Sequence, residues 1–144
     1  MNISHSIFCL VILMVFSCEP ALEDTFERVV IPQGAHSSSP KVQLLQSNTF
    51  KFRAIFDETA IYTSSSEENQ HDANKLLGFS DCNSHHHQNS ARFGWRWLDG
   101  KLEVLAYTYA DGERSVEYLT DININESHDY QIKIKEDAYV FSVD

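Results

Sequence analysis

The sequence is poor in the residues that mark most specialised classes of chain. Basic side chains are scarce: 11 Lys and Arg stand against 21 Asp and Glu in 144 residues, a formal charge of −10. Nucleic-acid backbones are held by clustered Lys and Arg, so this balance argues against DNA or RNA as a partner. Gly and Pro number only five and three, which excludes a collagen-like or low-complexity chain. Cysteine occurs three times, at Cys9, Cys18 and Cys82, too few for a disulfide scaffold. The longest apolar run, Ile7 to Phe16, is half of the roughly 20 residues that span a bilayer. What remains, with 42% hydrophobic residues, is the composition of one globular domain.

The short apolar run has the length of a signal-peptide core and is read as a targeting segment, residues 1–17. Val15-Phe16-Ser17-Cys18 follows the form of a lipobox: an apolar residue three before the cysteine, a small residue just before it, and then the cysteine to be acylated. Cys18 would then be the first mature residue and the lipid attachment point, and its acyl chains would anchor the protein stably where one chain alone is marginal. The segment before the run carries no Lys or Arg, so a plainly cleaved signal and an uncleaved anchor stay open. With Cys9 discarded and Cys18 lipidated, Cys82 is the last thiol in the domain, which leaves no intramolecular disulfide. Residues 18–28, with Glu19, Glu23, Asp24 and Glu27 against Arg28, read as a solvated tether, and residues 33–40 as a loop.

Residues 29–144 read as an all-β domain, an antiparallel β-sandwich of jelly-roll type. Phe26 to Ile31 and Ile61 to Thr63 are candidate short strands. Phe50, Phe52, Ala54 and Phe56 alternate with Lys51, Arg53, Ile55 and Asp57, the pattern of a half-buried strand. Residues 64–90 are polar, with a helical turn capped at Ser65 or Ser66 and ending at Gly78, then a loop from Phe79 to Ser90. Asp99-Gly100 is a strong hairpin signal. A two-residue turn there pairs Trp97 with Leu102, Trp95 with Val104 and Phe93 with Ala106 on an apolar face, and Arg96 with Glu103 and Arg92 with Tyr107 on the other. Asp111-Gly112 turns the chain again. A two-residue turn at this point puts Glu117 and Ser115 on the tryptophan face and Val116 and Tyr118 on the Arg-Tyr face. Either this turn carries an extra residue or both sheet faces are partly covered. A last hairpin at Glu136-Asp137 pairs Ile134 with Tyr139, Ile132 with Phe141 and Tyr130 with Val143. The sequence stops at Asp144, the end of a strand, which suggests a sandwich lacking its last one or two strands.

The stretch Asn74 to Trp97, NKLLGFSDCNSHHHQNSARFGWRW, together with Ile31-Pro32-Gln33-Gly34-Ala35-His36 and Phe50 to Thr63, resembles a family of uncharacterised secreted bacterial lipoproteins. The resemblance covers most of residues 29–143. It implies a β-rich envelope protein whose relatives continue past the end of this chain, and it carries over no catalytic residue.

Two constellations carry chemistry. Arg92, Arg96, Tyr107, Tyr109, Arg114 and Tyr118 share one face of the central meander, where flat rings and planar guanidinium groups suit stacking on sugars and bidentate bonding to carboxylates or hydroxyls. The plainer reading is that these side chains pack on one another beneath the 64–90 loop. Trp95 and Trp97 read as core. His85, His87 and Cys82 offer ligand types that suit zinc, with His36, His71 or Asp72 as further candidates in space. Consecutive residues such as His85-His86-His87 do not readily reach one ion, and loop histidines more commonly bond the backbone around them. No nucleophile elbow, zinc-protease helix or phosphate loop is present.

The sequence therefore predicts a non-catalytic, lipid-anchored protein of the bacterial cell envelope, held at the outer membrane or cell surface and needing no cofactor. Its expected partners are the membrane, through Cys18, and a glycan or other small ligand on the Arg-Tyr face. The alternatives are a metal-dependent hydrolase or lyase using His85 to His87 with zinc, and a structural subunit of an envelope assembly docking through an open sheet edge.

Overall fold

The computed structural model describes residues 25–32, 38 and 43–144. The signal segment, Cys18, most of the tether and most of the 33–40 loop, including His36, lie outside the described residues.

Among the described residues, seven strands form two antiparallel sheets. The three-stranded sheet has the order β1-β6-β7, with β1 at Thr49–Ile55, β6 at Ser127–Lys135 and β7 at Ala138–Val143. The four-stranded sheet is a meander of β2 (Asn74–Ser80), β3 (Ser90–Leu98), β4 (Lys101–Ala110) and β5 (Glu113–Ile122). The all-β sandwich expected from strand periodicity is what forms. Apolar faces of both sheets meet in a core of Ala91, Phe93, Val104, Tyr130 and Ile132, with Phe50, Phe52, Phe56, Phe79 and Phe141 packed around it. Phe52 stacks on Tyr130 at 4.8 Å, and Phe93 stands edge-on to Phe52, Tyr130 and Phe141 at 5.8, 5.1 and 5.1 Å. Such pairs add about 0.5–1.5 kcal/mol each beyond the area they bury. Trp95 lies half-buried against Phe56 and Tyr62, at 5.1 and 5.9 Å.

Both turn signals place their hairpins as expected. In β3–β4, Trp97 pairs with Leu102, Trp95 with Val104 and Phe93 with Ala106. In β6–β7, Ile134 pairs with Tyr139, Ile132 with Phe141 and Tyr130 with Val143. The turn residues Asp99, Gly100, Asp111, Gly112 and Glu136 all adopt positive φ, the conformation these tight hairpins require.

The Asp111-Gly112 turn carries no extra residue: Ala110 pairs with Glu113, Tyr109 with Arg114 and Tyr107 with Val116. The extra residue lies within β5. Val104 pairs with Thr120 but Leu105 with Tyr118, so Leu119 bulges out of register and packs on the core. The outer face is also partly covered, since Leu105 and Tyr107 are buried there.

The second half of the 64–90 segment departs from expectation. Ser66 does cap a helix, its Oγ accepting from Asn69 N at 3.3 Å, but this helix (α1) is only Glu67–Gln70. Asn74 to Ser80 is not the end of a helix or the start of a loop; it forms β2, with a bulge between Lys75 and Gly78. The bulge lets Leu76 and Phe79 both reach the core. Phe26 to Ile31 and Ile61 to Thr63 form no strand.

Candidate functional site

All six residues of the expected Arg-Tyr face do lie on the outer side of the four-stranded sheet, because Ser90 pairs with Tyr109, Arg92 with Tyr107, Arg96 with Glu103 and Tyr109 with Arg114. They do not act as one surface. Arg96 Nε donates to Glu103 Oε2 at 2.6 Å and its Nη1 to the His71 carbonyl at 2.8 Å, so this guanidinium ties the sheet to the end of α1. Tyr118 is 56% exposed and belongs to a separate group. Burial and a hydrogen bond to Asp121 raise its phenol pKa, while Lys101 Nζ donates to Asp121 Oδ2 at 2.8 Å and holds that carboxyl below its ordinary range.

Arg92, Tyr107, Tyr109 and Arg114 form the remaining cluster. Tyr107 is buried, Tyr109 half-buried and Arg114 exposed, with the two tyrosine rings 5.9 Å apart. Burial pushes the Tyr107 phenol up, but hydrogen bonds from Tyr109 and Arg114 and the nearby charges of Lys75 and Arg114 outweigh it, so its pKa falls. Tyr109, which bonds to the Tyr107 oxygen, is raised. Lys75 of β2 caps the cluster with its Nζ 5.2 Å from the Tyr107 ring centroid, a cation over an aromatic face. Arg92 is half-buried, and that burial lowers its pKa. Its Nη2 donates to Ser90 Oγ at 3.3 Å, while its Nε is buried without a partner.

The four ion pairs among the described residues are Arg28–Asp57, Arg53–Asp129, Arg96–Glu103 and Lys101–Asp121. None involves Lys75, Arg92 or Arg114. In a chain of net charge −10, three cations thus converge on one aromatic-lined spot without an ion-paired carboxylate among the described residues.

The histidine loop adjoins this spot. Asp81 N bonds to the Asn89 carbonyl at 3.0 Å, closing the loop at its neck, and Gln88 N bonds to the His85 carbonyl at 2.7 Å. Ser90 Oγ, fully buried, donates to the His86 carbonyl at 2.6 Å. Gly112 N to the Gln88 carbonyl and Asp111 N to Asn89 Oδ1, both at 3.0 Å, dock the loop on the β4–β5 turn. The backbone is thereby held as a turn rather than a strand, and three successive side chains that would alternate in a strand fall together. His85, His86 and His87 each place a ligand nitrogen within 4.8 Å of the others. Cys82 is exposed and lies outside that group; its amide bonds to Asp81 Oδ1 at 2.7 Å. Asp81 also accepts from Tyr139 Oη at 3.1 Å, so it serves the loop structurally. The His87 ring lies 5.1 Å from Tyr109. Burial first, then the neighbouring histidines, Arg92 and Lys75, lower the pKa of both His86 and His87.

Sequence reasoning missed Lys75, because a residue placed in a helical turn has no defined sheet face, and it set His86 aside. Among the described residues no helix is long and apolar enough to cross a membrane. Neither protein-family models, nor curated proteins, nor solved structures give a match to this chain.

Proposed function

We propose that the protein is a non-catalytic β-sandwich of the bacterial cell envelope, lipid-anchored through Cys18, that binds an acidic carbohydrate on the outer face of its four-stranded sheet. One observation carries the reading: Lys75, Arg92 and Arg114 gather around Tyr107 and Tyr109 with no carboxylate partner among the described residues. Guanidinium groups bind carboxylates bidentately, and a half-exposed phenol ring such as Tyr109 offers a flat surface to a pyranose. A uronate-bearing saccharide supplies both features. Against a catalytic reading, the charges that act on His86 and His87 come from other histidines, Arg92 and Lys75, and no Asp or Glu joins the histidine group among the described residues.

The test compares uronic-acid oligosaccharides with neutral ones of equal length on a glycan array and by calorimetry. Acidic sugars are expected to bind preferentially, with affinity falling as salt screens the cations. Tyr109→Ala and Arg114→Ala, both away from the core, are each expected to weaken binding about tenfold, or roughly 1.4 kcal/mol. Equal binding of neutral sugars, or an unchanged signal in the Tyr109→Ala, Arg114→Ala double variant, overturns the reading. Mass spectrometry of the membrane fraction checks the anchor: acyl groups on Cys18 support it, and an unmodified mature N-terminus removes it.

A further inference from the structure

We propose that His85, His86 and His87 constitute a three-imidazole site for a divalent transition ion of the zinc class, whose fourth position is left for an exogenous anion. The inference does not rest on the carbohydrate reading, since it concerns different atoms and a different ligand.

Two features of the loop carry it. Its backbone is fixed from both sides, by the Gln88–His85 and Ser90–His86 bonds within it and by the Gly112–Gln88 and Asp111–Asn89 bonds beneath it. The three rings therefore start together, with centroids 4.1, 4.2 and 5.2 Å apart, and binding need not order the chain first. Their nitrogens lie within 4.8 Å of one another. A tetrahedral ion with bonds of about 2.0–2.1 Å needs its ligand atoms about 3.3 Å apart, a contraction within reach of imidazole rotation about χ1 and χ2 on a fixed backbone. The cost is one long bond, His87 N to His85 Nδ1 at 3.4 Å.

Neutral imidazoles leave the full charge of the ion uncompensated, and the charged groups from outside the loop that act on His86 and His87 are Arg92 and Lys75. No fourth His, Cys, Asp or Glu joins the group among the described residues. Both facts select an anion, a carboxylate or hydroxide, as the fourth ligand. They also temper the affinity, because two cations face the incoming ion.

The full chain, produced without a histidine tag, is titrated with zinc chloride in a calorimeter and with cobalt(II) in a spectrophotometer. One ion per chain and the intense visible absorption of four-coordinate cobalt are expected. His85→Ala and His87→Ala are each expected to weaken zinc roughly tenfold or more, while Cys82→Ser and His71→Ala leave it unchanged. Circular dichroism of the metal-free variants confirms that these exposed substitutions leave the fold intact. No binding by the wild-type chain, zinc binding that survives the His85→Ala, His87→Ala double variant, or binding lost equally in Cys82→Ser overturns the proposal.

Discussion

Arg92 lies directly across the β3–β4 ladder from Tyr107, on the outer face of the sheet, and it is half-buried there with its Nε unpartnered among the described residues. A half-buried cation without a carboxylate is costly to keep, because desolvation is not offset by an ion pair. Stability alone would favour an apolar side chain of similar length. Arg92→Met is therefore expected to raise stability by about 1 kcal/mol or more while removing anion binding. Urea unfolding measures the first effect and calorimetry with an acidic oligosaccharide the second. A destabilised Met variant would mean that the guanidinium is held for structure.

Gly78 is where β2 comes up against β3. A Cβ at this position would stand 2.2 Å from the Ala91 carbonyl oxygen and 2.3 Å from Arg92 Cβ, and neither the backbone nor a side-chain root moves cheaply. At Gly94 the nearest atoms are the Asn74 oxygen and Leu105 Cβ, both at 3.4 Å. Gly78→Ala is expected to cost about 3 kcal/mol or more, and Gly94→Ala about 1 kcal/mol or less. Denaturant midpoints of the two variants give the comparison. Because the Gly78 clash falls on Arg92, that substitution should also weaken anion binding under conditions where the variant stays folded.

The hairpins were legible in the sequence because their instructions are local. Asp99-Gly100 adopts positive φ, the conformation that a tight turn needs, and the alternation from Phe93 to Ala106 fixes which face is buried. The Arg92–Tyr107 and Arg96–Glu103 pairs followed from that register. The conflict in β5 was legible as a conflict but not as a solution. Parity leaves open an extra residue or two partly covered faces, and the placement of the bulge at Leu119 depends on the packing of the opposite sheet. The strand β2 was hidden for the same reason: its bulge between Lys75 and Gly78 breaks the alternation that announces a strand, and Gly78 resembles a helix stop. One of the three cations of the spot went unseen with it, since Lys75 has a defined face only once β2 exists. The meeting of the three histidines depends on the β4–β5 turn beneath their loop, a contact made 20 or more residues away in the chain.

Tyr130 is 1% exposed, and its hydroxyl is buried without a hydrogen-bond partner among the described residues. Burial alone raises its phenol pKa. The ring is essential: it stacks on Phe52 and stands edge-on to Phe93. The oxygen contributes desolvation cost and no bond. Tyr130→Phe is expected to leave stability unchanged or to raise it by up to about 1 kcal/mol, and Tyr130→Ala to lower it by about 3–5 kcal/mol. Thermal unfolding of both distinguishes ring from hydroxyl; a loss above about 1 kcal/mol in the Phe variant would reveal a bond to the oxygen.

Acid should weaken the fold in two separate windows. His86 and His87 have pKa values below the ordinary imidazole value of 6.5 in the folded chain, chiefly through burial. The unfolded chain therefore takes up protons first, and the stability these groups provide is complete above 6.5 and lost as pH falls through 6.5 to their folded values. The carboxyls follow lower down. Thr59 bonds to Asp57, Lys101 to Asp121 and Arg53 to Asp129, and each of these bonds holds its partner below the ordinary 3.8. Their contribution is present above 3.8 and disappears as pH falls through 3.8 toward the folded values. Urea midpoints measured from pH 8 down to about pH 3 should show a shallow upper step and a separate lower one. Replacing His86 and His87 by Asn should flatten the upper step and leave the lower one in place. Arg53→Met should shrink the lower step and leave the upper, because Arg53 bonds to Asp129 through both Nε and Nη2 on the opposite sheet, far along the chain from the histidine loop.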